Sequence, residues 1–203
     1  VAVINSLARV REIVGEPSAQ VRCKIHARLN AQARAFIARS PMLFIATVDE
    51  QAQPTVSPKG DAPGFVRVAD EHTLQIPERK GNKLVFSLQN MLGNPRAGLI
   101  FLVPGTGETL RVSGSVTLLD DAALCASFTE RGKPALLVTQ ISVTQCYFHC
   151  AKAVLRSSLW RPDTWPEPMN ISFGEEIAQT GGLAREDIAA FDHAVHGRYE
   201  KDL

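Results

Sequence analysis

An excess of one charge, a long apolar run, paired cysteines and a leader pattern are all missing from this chain of 203 residues. Lysine and arginine number 22 against 21 aspartates and glutamates, a formal net charge of +1. No global field suits a nucleic-acid backbone or an anionic membrane, so neither partner is expected. No apolar stretch approaches the roughly 20 residues of a membrane span, and the first residues carry no signal-peptide pattern. A soluble cytoplasmic protein is the expectation. Cys23, Cys125, Cys146 and Cys150 include no CxxC pair and no dense framework, and they read as reduced thiols. Cys146, His149 and Cys150 raise the question of a metal. On a strand, however, Cys146 and Cys150 share a face about 13 Å apart, too far for one ion, and only a helical turn would bring them together. His193 and His196, three apart on a predicted helix without an acidic partner, read as surface residues. No metal site is expected.

What the chain does have is 45% hydrophobic content, enough for a sizeable core. The expected organisation is a single domain over 1–203, with N-terminal helices to about residue 40 and a C-terminal helical tail from about residue 150. Residues 1–23 read as a helix, a turn at Gly15 to Ser18 and the approach to a second helix. From Lys24 to Arg39 the positions Ile25, Leu29, Phe36 and Ile37 line one helical face, and Ser40-Pro41 ends it. Met42 to Val48 is an unbroken apolar run that suits a buried strand.

A second strand returns from about Gln53, but Pro54, Pro58, Gly60, Pro63 and Gly64 forbid an ordinary central strand. They imply an edge or a rim from which Lys59 projects, or equally an irregular surface loop. Leu74 and Ile76 alternate as in a half-buried strand that Pro77 interrupts. Further strands are predicted at Ala97 to Val103, Leu110 to Leu118 and Leu136 to Phe148, with a short helix over Asp120 to Phe128. Gly105-Thr106-Gly107-Glu108-Thr109 is no phosphate-binding loop, because Glu108 stands where the lysine belongs. Five or six antiparallel strands with few helices predict a small closed or split barrel.

The stretch with most chemical content is Arg79-Lys80-Gly81-Asn82-Lys83. Asn82 reads as the N-cap of a helix whose apolar stripe is Leu84, Val85, Leu88, Met91 and Leu92, closed by Gly93 and Pro95. Three cations at a helix start favour an anion such as a phosphate, through free N–H groups, the helix dipole and full charges. A solvated basic turn is the alternative.

In order and spacing, several motifs together resemble one family. They are Phe36-Ile37-Ala38-Arg39-Ser40-Pro41, Ser57-Pro58-Lys59-Gly60-Asp61 with Pro63-Gly64-Phe65, Ile76-Pro77-Glu78-Arg79 with Gly81-Asn82, Gly107 through Gly114, and Phe148 through Ala153 with Arg156-Ser157 and Leu159-Trp160. The sequence resembles the FMN-binding split barrels related to pyridoxamine 5'-phosphate oxidase, and within them a subgroup of FMN-dependent enzymes of unknown substrate. The resemblance implies a mainly β fold, a six-stranded antiparallel FMN-binding split barrel with peripheral helices, assembled as a homodimer with FMN at the interface.

It also implies that Arg79 and Lys80 grip the FMN phosphate with Asn82, Lys83 and Ser87 nearby. Val56, Ser57, Pro58 and Lys59 would edge the isoalloxazine, and Lys152, Arg156 and Trp160 would come from the partner subunit. Trp160 as a packed aromatic, with Lys152 and Arg156 on one exposed helical face, is the other reading of that segment. Nothing after Trp160 matches the arginine-histidine signature that holds substrate in pyridoxamine phosphate oxidases, which speaks against vitamin B6 oxidation. The expectation is an FMN-dependent oxidoreductase acting on a small molecule, with a non-catalytic flavin carrier or sensor as the alternative. No catalytic acid or base is assigned.

Overall fold

The computed structural model describes residues 1–202, apart from the side chain of Glu200. Seven strands form one antiparallel sheet: β1 Met42–Val48, β2 Pro54–Gly60, β3 Arg67–Asp70, β4 Thr73–Glu78, β5 Arg96–Leu102, β6 Thr109–Leu119 and β7 Leu137–His149, in the order β2-β1-β5-β6-β7-β4-β3. The fold is therefore mainly β with peripheral helices, as expected, but it has seven strands rather than six and its ladder does not close. The additional strand is β3, a short piece paired with β4 over Arg67↔Gln75 and Val68↔Leu74.

The sheet wraps one core. Leu43 and Ile45 of β1, Leu74 and Ile76 of β4, Leu99 and Phe101 of β5, Leu110 and Val112 of β6, and Ile141 and Val143 of β7 belong to a single buried cluster. Period-2 alternation puts these side chains inward, and each fully buried one contributes roughly 1.5 to 3 kcal/mol. The run Met42 to Val48 is not buried on both faces, as its continuous apolarity suggests. It alternates, with Leu43, Ile45 and Thr47 inside and Met42, Phe44 and Ala46 outside. At Ser113/Gly114 the β6 to β7 register shifts, and a Cβ on Gly114 would stand 2.2 Å from the Ser142 carbonyl oxygen. Only glycine lets the two long strands approach there.

Two local readings are corrected. The helix expected over Lys24 to Arg39 is confined to α3, Ala31–Ile37, after α1 Leu7–Val14 and α2 Ala19–Cys23. Before Asn30 the chain is drawn out along the sheet, where His26 and Cys146 exchange backbone hydrogen bonds at 2.9 and 2.7 Å, and Ile25 is exposed. Pro77 does not interrupt β4, since it pairs with Val138. The Leu136 N–H bonds to the Glu78 carbonyl, so the backbone groups of Glu78 face β7 and those of Pro77 face away, where β3 has already ended. A missing N–H costs nothing on that side.

Helix α4, Phe86–Gly93, lies against β1, β2 and β6. After α5, Ala122–Ala126, and β7 come the short α6, Lys152–Arg156, then α7, Phe173–Gln179, and α8, Ile188–Asp202. Among the described residues no helix is long and apolar enough to cross a membrane.

Candidate functional site

β2 and β4 are not hydrogen-bonded to each other, yet two ion pairs of opposite polarity join them. The Lys59 ammonium on β2 meets the Glu78 carboxylate at the end of β4, and the Arg79 Nε donates to Asp61 just past β2 at 2.8 Å. Lys59 and Glu78 are mostly buried, and the second Glu78 oxygen accepts from the Thr139 hydroxyl at 2.8 Å. Such a pair holds only while both partners are present, because a lone charge at such a depth is strongly disfavoured. The open seam of the barrel is thus held by side chains.

Beside this seam lies a cleft of about 800 Å³, bounded by β2 on one side and by the segment from Pro77 through α4 on the other. Its lining is chemically divided. Arg79, Lys80, Asn82, Lys83 and Ser87 supply charge and hydrogen-bonding groups, whereas Phe65, Pro77, Leu84, Val85, Phe86, Leu136 and Leu137 supply an apolar wall. Several of these apolar groups are unburied: Val85, Phe86 and Leu136 are 54%, 55% and 65% exposed.

The polar end differs from the sequence expectation in one respect. Asn82 does not cap α4. Its side-chain oxygen accepts from the Leu84 N–H at 3.0 Å, making a turn, and the helix starts four residues later. The N-cap is Val85, which offers no side-chain acceptor and leaves the first helical N–H groups uncapped. The stripe predicted from Leu84 and Val85 is therefore exposed loop, Leu92 is exposed as well, and Ser87, Asn90 and Met91 are the buried positions. Lys83 and Val85 both have left-handed backbones, φ 65° and 50°. For a β-branched residue that is a strained conformation, costing of order 1 to 3 kcal/mol, and such strain gathers at ligand sites.

α4 is held in place by polar contacts. Ser87 and Ser57 hydroxyls lie 2.6 Å apart, and the Asn90 amide donates to both Thr47 and Thr55 at 3.1 Å. Thr47 is almost completely buried, so the ladder fixes the register of the helix on the barrel.

The cations of the turn are not equivalent. Arg79 is committed to the fold: besides Asp61 it donates to the Phe128 carbonyl at 2.8 Å and to that of Lys133 at 3.4 Å. Lys80 pairs with Asp202 of α8 at 2.6 Å. The Lys80 hydrogen bond, with the further charges of Lys133 and Arg198, holds the Asp202 carboxyl below its usual range. Lys83 makes no ion pair among the described residues.

Of the residues singled out in the sequence, Ser57, Pro58, Lys59, Arg79, Lys80, Asn82, Lys83 and Ser87 come together around the cleft. Val56 shares the outward face of β2 with Pro58 but stands outside the lining and is 64% exposed. Lys152, Arg156 and Trp160 stand outside the lining. Arg156 bonds back to the Lys152 carbonyl, and the Trp160 indole N–H donates to the Thr106 carbonyl at 2.8 Å. Glu78, Asp61 and Thr139 were missed. The one available signal was Glu78 itself, a carboxylate between proline and arginine at the end of an apolar strand. Among the described residues no cluster suited to a metal is found, and burial pushes the Cys146 thiol up to about 11.

An antiparallel sheet curled around one core, open along a charge-bridged seam with a cationic cleft beside it, defines a split barrel. The chain belongs to the pyridoxamine 5'-phosphate oxidase family, whose model matches residues 29–150. Similar solved structures include HupZ from Group A Streptococcus, at 19% identity and a TM-score of 0.48 over 59% of this chain and 92% of that one. An FMN-binding protein from Syntrophomonas wolfei shares 12% identity, TM-score 0.47, over 59% and 85%. HutZ, a heme storage protein from Vibrio cholerae, shares 15% identity, TM-score 0.43, over 61% and 94%. No protein of curated function matches the chain.

Proposed function

We propose that this protein binds FMN in the cleft beside the seam and acts as an FMN-dependent oxidoreductase on a small molecule. The observation that carries the reading is the division of the cleft into a cationic, hydrogen-bonding end and an apolar wall. A flat, largely apolar ring joined to a phosphate has the same two-part character, and the volume lies within the range of small-molecule pockets. Lys80, Lys83 and the uncapped start of α4 would take the phosphate, aided by Asn82 and Ser87. Arg79 would act mainly as the brace that keeps the turn against Asp61.

When bound, the flavin supplies the hydride or electron chemistry. The chain's own contribution is to bind, orient and exclude water along Phe65, Phe86 and Leu137. The Lys59 and Glu78 charges neutralise each other, and no unpaired carboxylate lines the cleft among the described residues. That feature equally supports the second reading, a flavin carrier without turnover.

The same proposal includes a homodimer. Met42, Phe44, Val56 and Ile100 leave an apolar patch on the outward face of β2, β1 and β5, with Phe44 paired to both Pro58 and Ile100. A second copy seated there would bury the patch and carry its own Lys152, Arg156 and Trp160 toward a shared site. Four unpaired thiols support a reducing, cytoplasmic setting.

The test is the visible spectrum of the purified protein, followed by titration with FMN and riboflavin. A flavin spectrum, or tight FMN uptake with much weaker riboflavin binding, is expected. An intense Soret band, or no uptake of added FMN, overturns the reading. Reduction of the bound flavin by a nicotinamide donor, with reoxidation by oxygen or a dye, separates enzyme from carrier.

A further inference from the structure

The C-terminal helices end against the basic turn of the cleft. α7 and α8 form a braced pair: Asp192 of α8 accepts from the Ser172 hydroxyl at 2.5 Å and from the Gly174 N–H at 2.8 Å. A Cβ on Gly174 would stand 2.9 Å from the Ile188 carbonyl oxygen, so the two helices cross in close contact. The pair follows an exposed segment, Arg161 to Asn170, that contains Pro162, Pro166 and Pro168. Its far end is held at two points, one of them the basic turn of the cleft. Asp202 accepts from the Lys80 ammonium at 2.6 Å, and the Lys201 carbonyl accepts from the Lys133 ammonium at 2.6 Å.

We propose that α8 is a latch on the cleft: the Asp202 carboxylate occupies the anion-binding position at Lys80, and an incoming phosphate displaces it. This inference rests on the FMN reading for the identity of its ligand. A carboxylate and a phosphate offer the same thing to an ammonium, oxygen acceptors with negative charge, so they compete for it. Displacement then removes one of the two holds on the end of α8, leaving that of Lys133, so ligand entry and loosening of the helix become one equilibrium. The exposed ion pair is weak enough for the exchange to be reversible. Its position decides its effect, because the paired form withholds one cation of the cleft from the ligand.

The test uses the full chain. FMN and riboflavin affinities are measured by fluorescence titration for the parent, Asp202→Asn, Lys80→Ala and the double variant, and hydrogen exchange is followed across 188–202 with and without ligand. Asp202→Asn is expected to tighten FMN about 2- to 6-fold, because a latch as strong as an exposed ion pair leaves a fraction of about 0.15 to 0.4 unlatched. Riboflavin should not respond, Asp202→Asn should add nothing in the Lys80→Ala background, and α8 should exchange faster in FMN-saturated parent protein. If FMN binds and Asp202→Asn leaves its affinity unchanged or weaker, the latch is overturned while the flavin site stands. If the parent takes up no FMN, the flavin reading falls and inorganic phosphate becomes the probe. Faster exchange of α8 with phosphate in the parent, and none beyond the already raised rate in Asp202→Asn, would sustain the latch; no acceleration would end it.

Discussion

Replacing Lys59 by methionine leaves the Glu78 carboxylate at the seam with only the Thr139 hydroxyl as a partner. The Glu78 side chain is 7% exposed, and that of Lys59 is 19% exposed. Neither charge is therefore screened as a surface pair would be. Removing one member of a buried pair costs about 3 to 5 kcal/mol, most of it the desolvation of the charge left behind. In a chain of this size each kcal/mol lowers Tm by roughly 2 to 4 °C, so Lys59→Met should lower it by roughly 6 to 20 °C. A second substitution separates the stranded charge from the lost side-chain packing. Adding Glu78→Gln removes the stranded charge and keeps an oxygen for Thr139, leaving at worst an unpaired amide at about 1 to 3 kcal/mol. The double variant should thus be more stable than Lys59→Met alone. Urea denaturation read as a change in midpoint at constant slope is the assay. A Lys59→Met protein within about 1 kcal/mol of the parent, or a double variant less stable than it, would mean that the pair is solvated and does not hold the seam.

Gly114→Ala should destabilise severely, by at least the roughly 1 to 3 kcal/mol of an overpacked core, because its Cβ would enter the Ser142 carbonyl; Gly81→Ala, with open space around it, is the control in the same melt. Val85→Gly should raise the stability of the ligand-free protein by about 1 kcal/mol, since it relieves a left-handed β-branched residue and gives up little burial; a lower denaturation midpoint would count against strain there. Lys80→Ala should weaken FMN by about 10-fold or more without moving the melt, whereas Arg79→Ala should do both, because Arg79 also ties Asp61 and the Phe128 carbonyl. With burial raising the Cys146 thiol to about 11, a thiol reagent at mild alkaline pH should label Cys23 and Cys150 promptly and Cys146 only after denaturation.

The long strands were legible because their side chains alternate and one face is buried. Leu110, Val112 and Val116 fix β6 by period alone, and the prolines around Lys59 correctly mark β2 as an edge. The short β3 escaped although Val66 and Val68 flank Arg67 in alternation, since four residues give little pattern before Asp70 turns the chain. The start of α4 was misplaced for a different reason. Asn82 is a good cap by type, and no side chain between Lys83 and Phe86 announces two left-handed residues, one of them a valine. The helix expected from Lys24 was cut short by a tertiary contact, the His26 bridge to Cys146, which local pattern cannot contain. At the site the basic turn and the β2 rim could be read, but the partners of their charges could not. Lys59 meets a carboxylate 19 positions away and Lys80 one that is 122 away.

The prolines of β2 bear on what happens when many copies are crowded together. Hydrogen bonding places Gln53 toward β1, since its carbonyl accepts from Asp49 at 3.1 Å, so alternation turns the backbone groups of residues 54, 56, 58 and 60 toward the free edge. Two of those four are Pro54 and Pro58, which have no N–H to offer. A neighbouring strand approaching that edge finds half the donors absent and cannot extend the ladder. The residue type that frustrates ordinary strand pairing thereby guards an open sheet against edge-to-edge aggregation, the hazard that a fully closed barrel never faces. Soluble yield and fibril-type aggregation are then properties of Pro54 and Pro58, separable from stability and from anything bound in the cleft.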